Sequence, residues 1–285
     1  VLHWDERMTW SGEYDLIVVQ HFTRDYSVLA PVRARFPAAV IALRPDRPPE
    51  WEARHVGVYF EWLLRDLIQA DVVLDAMPDG RRASFYAQLA SKPWTTLLTP
   101  LVPHPDVEAL RKRPREMLVG WLHPADPEHH LPTLATLAAV QRHMDVAVTV
   151  VNASVDDAAR AVALGLDCEF IPAPSHEGFI DLLSRAKVVV DIFPMRTPAR
   201  VASVAAYLGT PTVTATDTQD VGHPQVDAWG GDGAAAVLAL LDSPARLKAV
   251  VKKGVTLMDR HRPQALRDAL EQVFHMKHLT GESND

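Results

Sequence analysis

The sequence predicts an α/β protein of two halves, each a parallel sheet covered by helices. Three observations predict it. Short apolar runs rich in β-branched residues recur along the chain, separated by stretches with helical periodicity. That alternation breaks once, between Pro100 and Arg115, where PLVPHPDVEALRKRPR gathers four prolines and a cluster of arginine and lysine, and then it resumes. At 285 residues the chain can hold two ordinary domains, each with its own core.

The first half opens on Tyr14 to Gln20 (YDLIVVQ), whose continuous apolar character fits a strand buried on both faces. Val28 to Phe36 is read as a helix, Ala38 to Leu43 as a strand, and the proline-rich RPDRPPEW from Arg44 as a breaker. Tyr59 to Ala70 places Phe60, Leu63, Leu64, Leu67 and Ile68 on one helical stripe. Asp71 to Asp75 follows as a strand, Arg81 to Leu89 as a helix and Trp94 to Leu98 as another strand. After the connection, Met117 to Leu122 restarts the pattern, with a helix over Leu131 to His143 and a strand over Val146 to Val151. Val155 to Leu164 is a helix stopped by Gly165, because glycine takes the left-handed conformation that ends helices. Cys168 to Ile171, Val188 to Ile192 and Thr212 to Ala215 read as strands. Gly178 to Ala186, Pro198 to Leu208, Asp232 to Leu241, Ala245 to His261 and Gln264 to His275 read as helices. The expected division is 1–102 and 103–275, with 276–285 as a tail. Strands alternating with helices imply right-handed parallel connections.

Bulk properties narrow the function. Cys168 is the single cysteine and has no internal disulfide partner, which fits a reducing, cytoplasmic setting. No apolar run approaches the roughly 20 residues of a membrane span. A net charge of -7 disfavours wholesale nucleic-acid binding but leaves room for a small anion in a local basic pocket. The chain starts at Val1 rather than methionine, so an upstream segment carrying an acceptor-facing loop is expected.

The stretch Ala186 to Ala215 (AKVVVDIFPMRTPARVASVAAYLGTPTVTA) resembles the donor-binding segment of family-4-type retaining GT-B glycosyltransferases. That family shows an Ala-Asp strand ending in Phe-Pro-Ser, a Glu-Gly-Phe-Gly turn, a helix with a glutamate, and Gly-Thr-Pro before the next strand. Val119 to Pro124 (VGWLHP) is similar to its Gly-Arg-Leu opening of the second domain, and Gln69 to Val73 to its first-domain Ala-Asp strand. The resemblance spans about residues 14 to 226. It implies two Rossmann-like domains facing one another across a cleft and a nucleotide-sugar donor, though the first domain is short by the family's standard. It departs from the family where the chemistry lies. Trp121 stands where the family has its diphosphate-binding arginine, Asp126 where it has its lysine, Arg196 at the first glutamate and Val204 at the ribose-binding glutamate.

Candidate site residues follow from position and chemistry. Thr197 is placed to cap the helix that opens at Pro198. The free N–H groups of that end, Ala199 among them, attract an anion, and Arg196 and Arg200 flank it as a possible phosphate clamp. The blander alternative is that both arginines are solvated or bridged to nearby acids. His21 directly follows the first strand, where the similar family carries a histidine beside the reacting sugar; the alternative is a histidine packed at a strand end. His123, His129 and His130 crowd one loop with Asp126 and Glu128 (HPADPEHH). The spacing matches no recognised metal set, so no metal is assigned and His123 is read as a phosphate or sugar contact. Gly120, Trp121 and Asp217 complete the cleft-facing candidates, Trp121 as a stacking surface.

No nucleophile elbow, Walker loop or paired-cysteine site is present in the sequence, and no cofactor is expected. The leading reading is transfer of a hexose from a nucleotide-activated sugar to an unidentified acceptor. The alternatives are a catalytically silent binding or regulatory protein of the same fold and, more remotely, a sugar-nucleotide epimerase.

Overall fold

The computed structural model describes residues 12–21, 27–45, 58–76, 80–97, 104–123, 127–194, 200–216, 218, 220–258 and 263–280, with backbone alone at 21, 58–59, 263–266 and 276–280. Two compact units form, Val1–Leu98 with Arg267–Asp285, and Thr99–Leu266.

In the first unit four parallel strands lie in chain order: β1 (Leu16–His21), β2 (Val40–Pro45), β3 (Val72–Asp75) and β4 (Trp94–Thr96). Right-handed crossovers that always step the same way deliver their helices to one face. Accordingly α1 (Leu29–Arg35), α2 (Val58–Gln69) and α3 (Arg81–Ala90) share one core, in which Leu29, Val32, Leu63, Leu67 and Tyr86 pack on Ile41, Leu43 and Val73.

Two buried aspartates tie these elements together. Asp66 of α2 accepts from the backbone N–H of Val28 and of Leu29 at 3.0 Å each, and from the Ser27 hydroxyl at 2.5 Å. The first turn of α1 is thus satisfied by a carboxylate 38 residues away from Val28. Asp75, at the carboxyl end of β3, accepts from the N–H of Arg82 (2.8 Å) and Ala83 (3.0 Å) and does the same for α3.

The second unit is doubly wound. Its parallel sheet runs β10-β9-β8-β5-β6-β7, with β5 (Met117–Trp121), β6 (Ala147–Val151), β7 (Glu169–Ile171), β8 (Ala186–Asp191), β9 (Thr212–Ala215) and β10 (Gln225–Val226). The chain winds outward from β5 through β6 to β7, then returns to β8 on the other side of β5 and winds outward through β9 to β10. Alternate residues serve opposite cores. Leu118, Val148, Val188 and Val190 meet α5 (Leu131–Gln141), α6 (Val155–Leu164) and α9 (Gly233–Leu241). Met117, Val119, Val151 and Val189 meet α4 (Val107–Arg111), α7 (His176–Arg185) and α8 (Arg200–Tyr207). The last two helices are α10 (Pro244–Met258) and α11 (Pro263–Thr280).

Local signals account for most boundaries. Ser154 and Asp157 form a reciprocal capping box at the start of α6, and Gly165 ends that helix at φ 69°. Several elements differ from the sequence reading, these among them. The helix α7 starts at His176 rather than Gly178, because the Ser175 hydroxyl accepts from the Gly178 N–H and caps it. The two-residue strand β10 carries no apolar run and exists through pairing with β9. The helix α11 continues past His275 to Thr280.

Candidate functional site

In an open α/β sheet the strand ends diverge where the winding direction reverses, and ligands bind in the crevice beyond their carboxyl ends. Here that point lies between β5 and β8. The residues following those two strands, Leu122–His123 and Ile192–Phe193, meet there.

His123 is held from every side. Its Nε2 lies 2.9 Å from Oδ1 of Asp191, the last residue of β8, and its ring stacks on Phe193 with centroids 4.1 Å apart and planes 27° from parallel. Its carbonyl oxygen lies 2.8 Å from Nε2 of His130. One residue back, the Leu122 N–H donates to Val151 and the Leu122 carbonyl accepts from the Asn152 amide at 3.1 Å. Asn152 reaches it from a left-handed conformation, φ 64°, at the end of β6. Asp191 is 2% exposed and His123 25%, so a buried carboxylate supports a partly open imidazole.

Behind His123 sits a second pair, wholly buried. His130 places Nδ1 2.8 Å from Asp157 Oδ2 while its Nε2 faces the His123 carbonyl. Asp157 also accepts from the Ser154 N–H (2.8 Å), the Ser154 hydroxyl (2.7 Å) and Arg160 (2.8 Å). Burial works to raise the Asp157 carboxyl, but the hydrogen bonds from the Ser154 side chain and backbone and from His130 outweigh it and hold the group below the usual carboxylate range. Both His130 nitrogens thus face oxygens, the Asp157 carboxylate on one side and the His123 carbonyl on the other. The pair anchors the loop between β5 and α5 to the first turn of α6.

A slight surface dimple with no room for a water molecule lies beside this arrangement, between Trp121, Leu122, His123, His129, His130, Thr133, Ile192 and Phe193. The Ile192 N–H donates to the Thr133 hydroxyl at 3.1 Å, which fixes the chain leaving β8 against α5.

The sequence candidates distribute as follows. His123 is central. Trp121 is half-buried and edge-on to Phe179 of α7, at 5.2 Å, while bordering the dimple. Gly120 is buried in β5, and a Cβ there would come within 2.5 Å of Leu137 Cδ1, so its smallness serves the packing of α5 on the sheet. Arg200 opens the described part of α8 and is exposed. Arg196, Thr197, Ala199 and Asp217 lie outside the described residues, as does the His21 side chain, whose backbone ends β1. Val204 is half-buried against the α7–α8 core. His130, read beforehand as part of a polar histidine loop, is a core residue. Among the described residues no group of three or more His, Cys, Asp or Glu is placed to hold a metal. Sequence reasoning missed Asp191, Asp157 and Asn152 as site residues. For Asp191 the legible signal is a lone carboxylate closing the apolar strand KVVVD.

No family model matches the chain, and no curated protein matches it in sequence. Solved structures do match. An α,α-trehalose-phosphate synthase (UDP-forming) from Burkholderia xenovorans, in complex with glucose-6-phosphate, superimposes with a TM-score of 0.70 at 12% identity over 93% of this chain and 74% of its own. Sucrose-phosphate synthase from Thermosynechococcus elongatus gives 0.66 at 16% identity over 94% and 74%. The pneumococcal O-GlcNAc transferase GtfA, in complex with UDP and GlcNAc, gives 0.64 at 11% identity over 93% of this chain and 57% of its own. The chain therefore spans between about half and three quarters of the length of such proteins. No helix among the described residues is long and apolar enough to cross a membrane. The chain has the fold of the GT-B glycosyltransferases.

Proposed function

We propose that this chain transfers a hexose from a nucleotide-activated sugar to an acceptor, in the cytoplasm, with the donor phosphates at the carboxyl ends of β5 and β8. The observation that carries the reading is the reversal of winding between β5 and β8, where His123 meets Asp191, within a fold shared with a protein solved with UDP and GlcNAc. In this reading Arg196 and Arg200, with the backbone around Thr197 and Ala199, grip the diphosphate through charge-assisted hydrogen bonds. His21, at the end of β1, donates to the sugar or the departing phosphate.

The test is calorimetric titration with UDP-, GDP-, ADP- and dTDP-sugars and the free diphosphates, backed by thermal shift, since a ligand of the native state raises its melting temperature. Arg196→Ala and Arg200→Ala are each expected to weaken diphosphate binding about tenfold, roughly 1.4 kcal/mol. Unchanged binding in both variants would remove the clamp.

A second reading, a silent binding protein of the same fold, is favoured by Val204. The similar family has a ribose-binding glutamate in that register, and here an apolar side chain packs into the core. Donor hydrolysis or transfer measured on a nucleotide-binding preparation separates the two: binding without any turnover selects the silent protein.

A further inference from the structure

We infer that the outer surface of α5, α6 and α9 is a self-association face, on which a second copy of this chain docks across a two-fold axis with its helices antiparallel. The inference is independent of the transferase reading, and its test uses no nucleotide.

A helix on the outside of an α/β unit turns one face to the sheet and carries charge on the other. The second unit follows that rule on its far side, where α7 bears Glu177, Asp181 and Arg185, and in α10, where Arg246, Lys248, Lys252 and Lys253 are exposed. It breaks the rule on the side of α5, α6 and α9. Neither α5 (LPTLATLAAVQ) nor α9 (GAAAVLALL) contains a charged residue. The accessible side chains are Leu131, 42% exposed, Ala135 and Ala139 on α5, and Ala235, Leu238 and Ala239 on α9. On α6, Asp157 is buried and Arg160 reaches back to it and to the Pro127 carbonyl. The outward stripe of α6 is Val155, Ala159 and Val162, at i, i+4 and i+7, its valines 89% and 78% exposed.

These helices lie side by side, α6 beside α5 and α5 beside α9. A Cβ on Gly233 of α9 would come within 2.3 Å of the Thr136 hydroxyl of α5, so the surface has no gap there. Single exposed apolar residues are ordinary, whereas one apolar surface shared by three helices marks a docking site.

The occupant follows from size and charge. Three helices about 16 Å long and about 9 Å apart project roughly 430 Å², or roughly 600 Å² of accessible surface once the side-chain ridges are counted. Pairing two such faces buries roughly 1,200 Å², the lower end of specific interfaces. The face is also self-complementary at its α6 seam. Each helix follows a parallel strand, so the N-terminal ends share one rim, which carries Glu128, Asp156 and Asp232. At the opposite rim Arg142 donates to the Leu164 carbonyl in the last turn of α6. Antiparallel pairing sets Asp156 of one copy beside Arg142 of the other and positive helix ends against negative ones; parallel pairing sets acid against acid. Asp145, Asp167 and Asp242 also stand at the C-terminal rim, so this complementarity is local to Arg142. In that register Val155 meets Val162 of the second copy, and Ala159 lies next to the axis, small enough for close approach.

The experiment is sedimentation velocity of the full chain between about 1 and 100 μM, because association follows protomer concentration. The wild type is expected to dimerise. Val162→Glu and Ala235→Glu, both at accessible positions, are each expected to raise the dissociation constant about tenfold or more while circular dichroism stays that of the folded protein. Asp156→Arg and Arg142→Asp should each weaken the dimer about threefold and together restore it. Ala159→Cys in a Cys168→Ser background should form a disulfide-linked dimer under mild oxidation, because a residue beside a two-fold axis meets its own copy. That variant keeps the test open should a glutamate variant fail to fold. A wild type still monomeric at the highest concentration overturns the inference. So does a dimer indifferent to Val162→Glu and Ala235→Glu, which must sit on another face. A monomer that floats with phosphatidylcholine and phosphatidylglycerol vesicles assigns the surface to lipid and equally overturns it.

Discussion

Asp157→Ala is expected to destabilise the second unit by about 3 to 5 kcal/mol, the cost of removing one member of a buried ion pair. Three losses add at this position. His130 is left 2% exposed without the carboxylate on its Nδ1; α6 loses its capping box; and Arg160 keeps only the Pro127 carbonyl of its two acceptors. A cap alone is worth about 1 kcal/mol, so a loss near that figure would mean His130 simply becomes neutral at little cost. Urea unfolding followed by far-ultraviolet circular dichroism measures it.

Gly254→Ala is the second large effect, and its sign is the test. Glycine inside a helix ordinarily costs about 1 kcal/mol against alanine, so the replacement should stabilise α10. Here an alanine Cβ would fall 2.2 Å from Nε2 of His223, a ring 6% exposed and pinned by the Thr212 N–H (3.2 Å) and hydroxyl (3.0 Å) on its Nδ1. The ring cannot swing aside without breaking those bonds. Overpacking of this kind costs up to about 3 kcal/mol and outweighs the helix gain, leaving a net loss of about 2 kcal/mol. In a His223→Ala background the same change should turn neutral or stabilising.

His223 also carries a pH signature. Burial, with a smaller push from Lys253 against an opposing pull from Asp220, lowers its pKa to about 4. Since Nδ1 accepts the Thr212 N–H, the folded protein holds the neutral ring. Between about pH 6.5 and 4 the unfolded chain binds a proton that the folded chain does not, so stability falls as pH falls through that window, by up to about 3 kcal/mol. His223→Gln should flatten that part of the profile. The Asp157 contribution behaves differently. Its pKa is depressed, so its stabilisation persists across the window and is lost only below the ordinary carboxylate range, as pH falls through the folded value.

Much of the local structure was legible because its causes are local. The β-branched runs LIVVQ, MLVGW and KVVVD became strands, and Ser154 to Gly165 carries its own start and stop signals within one helix. Gly120 was legible as a special position, but the sequence cannot say that Leu137 will press on it. The HPADPEHH loop was legible as a place of interest, since three histidines among acids are uncommon, but their roles were not. His123 stays partly open against Asp191, while His130 is buried against a carboxylate 27 residues further on.

Sequence by itself determined the alternating strand and helix plan and the candidate status of His123. Those follow from periodicity, capping and turn chemistry, each a matter of a few neighbouring residues. Only the tertiary structure decided that β8 returns beside β5 and so sets Asp191 against a histidine 68 positions earlier, and that a distant carboxylate caps α1. Strand order depends on which apolar faces bury together across the whole sheet, a global choice that no short stretch of residues encodes.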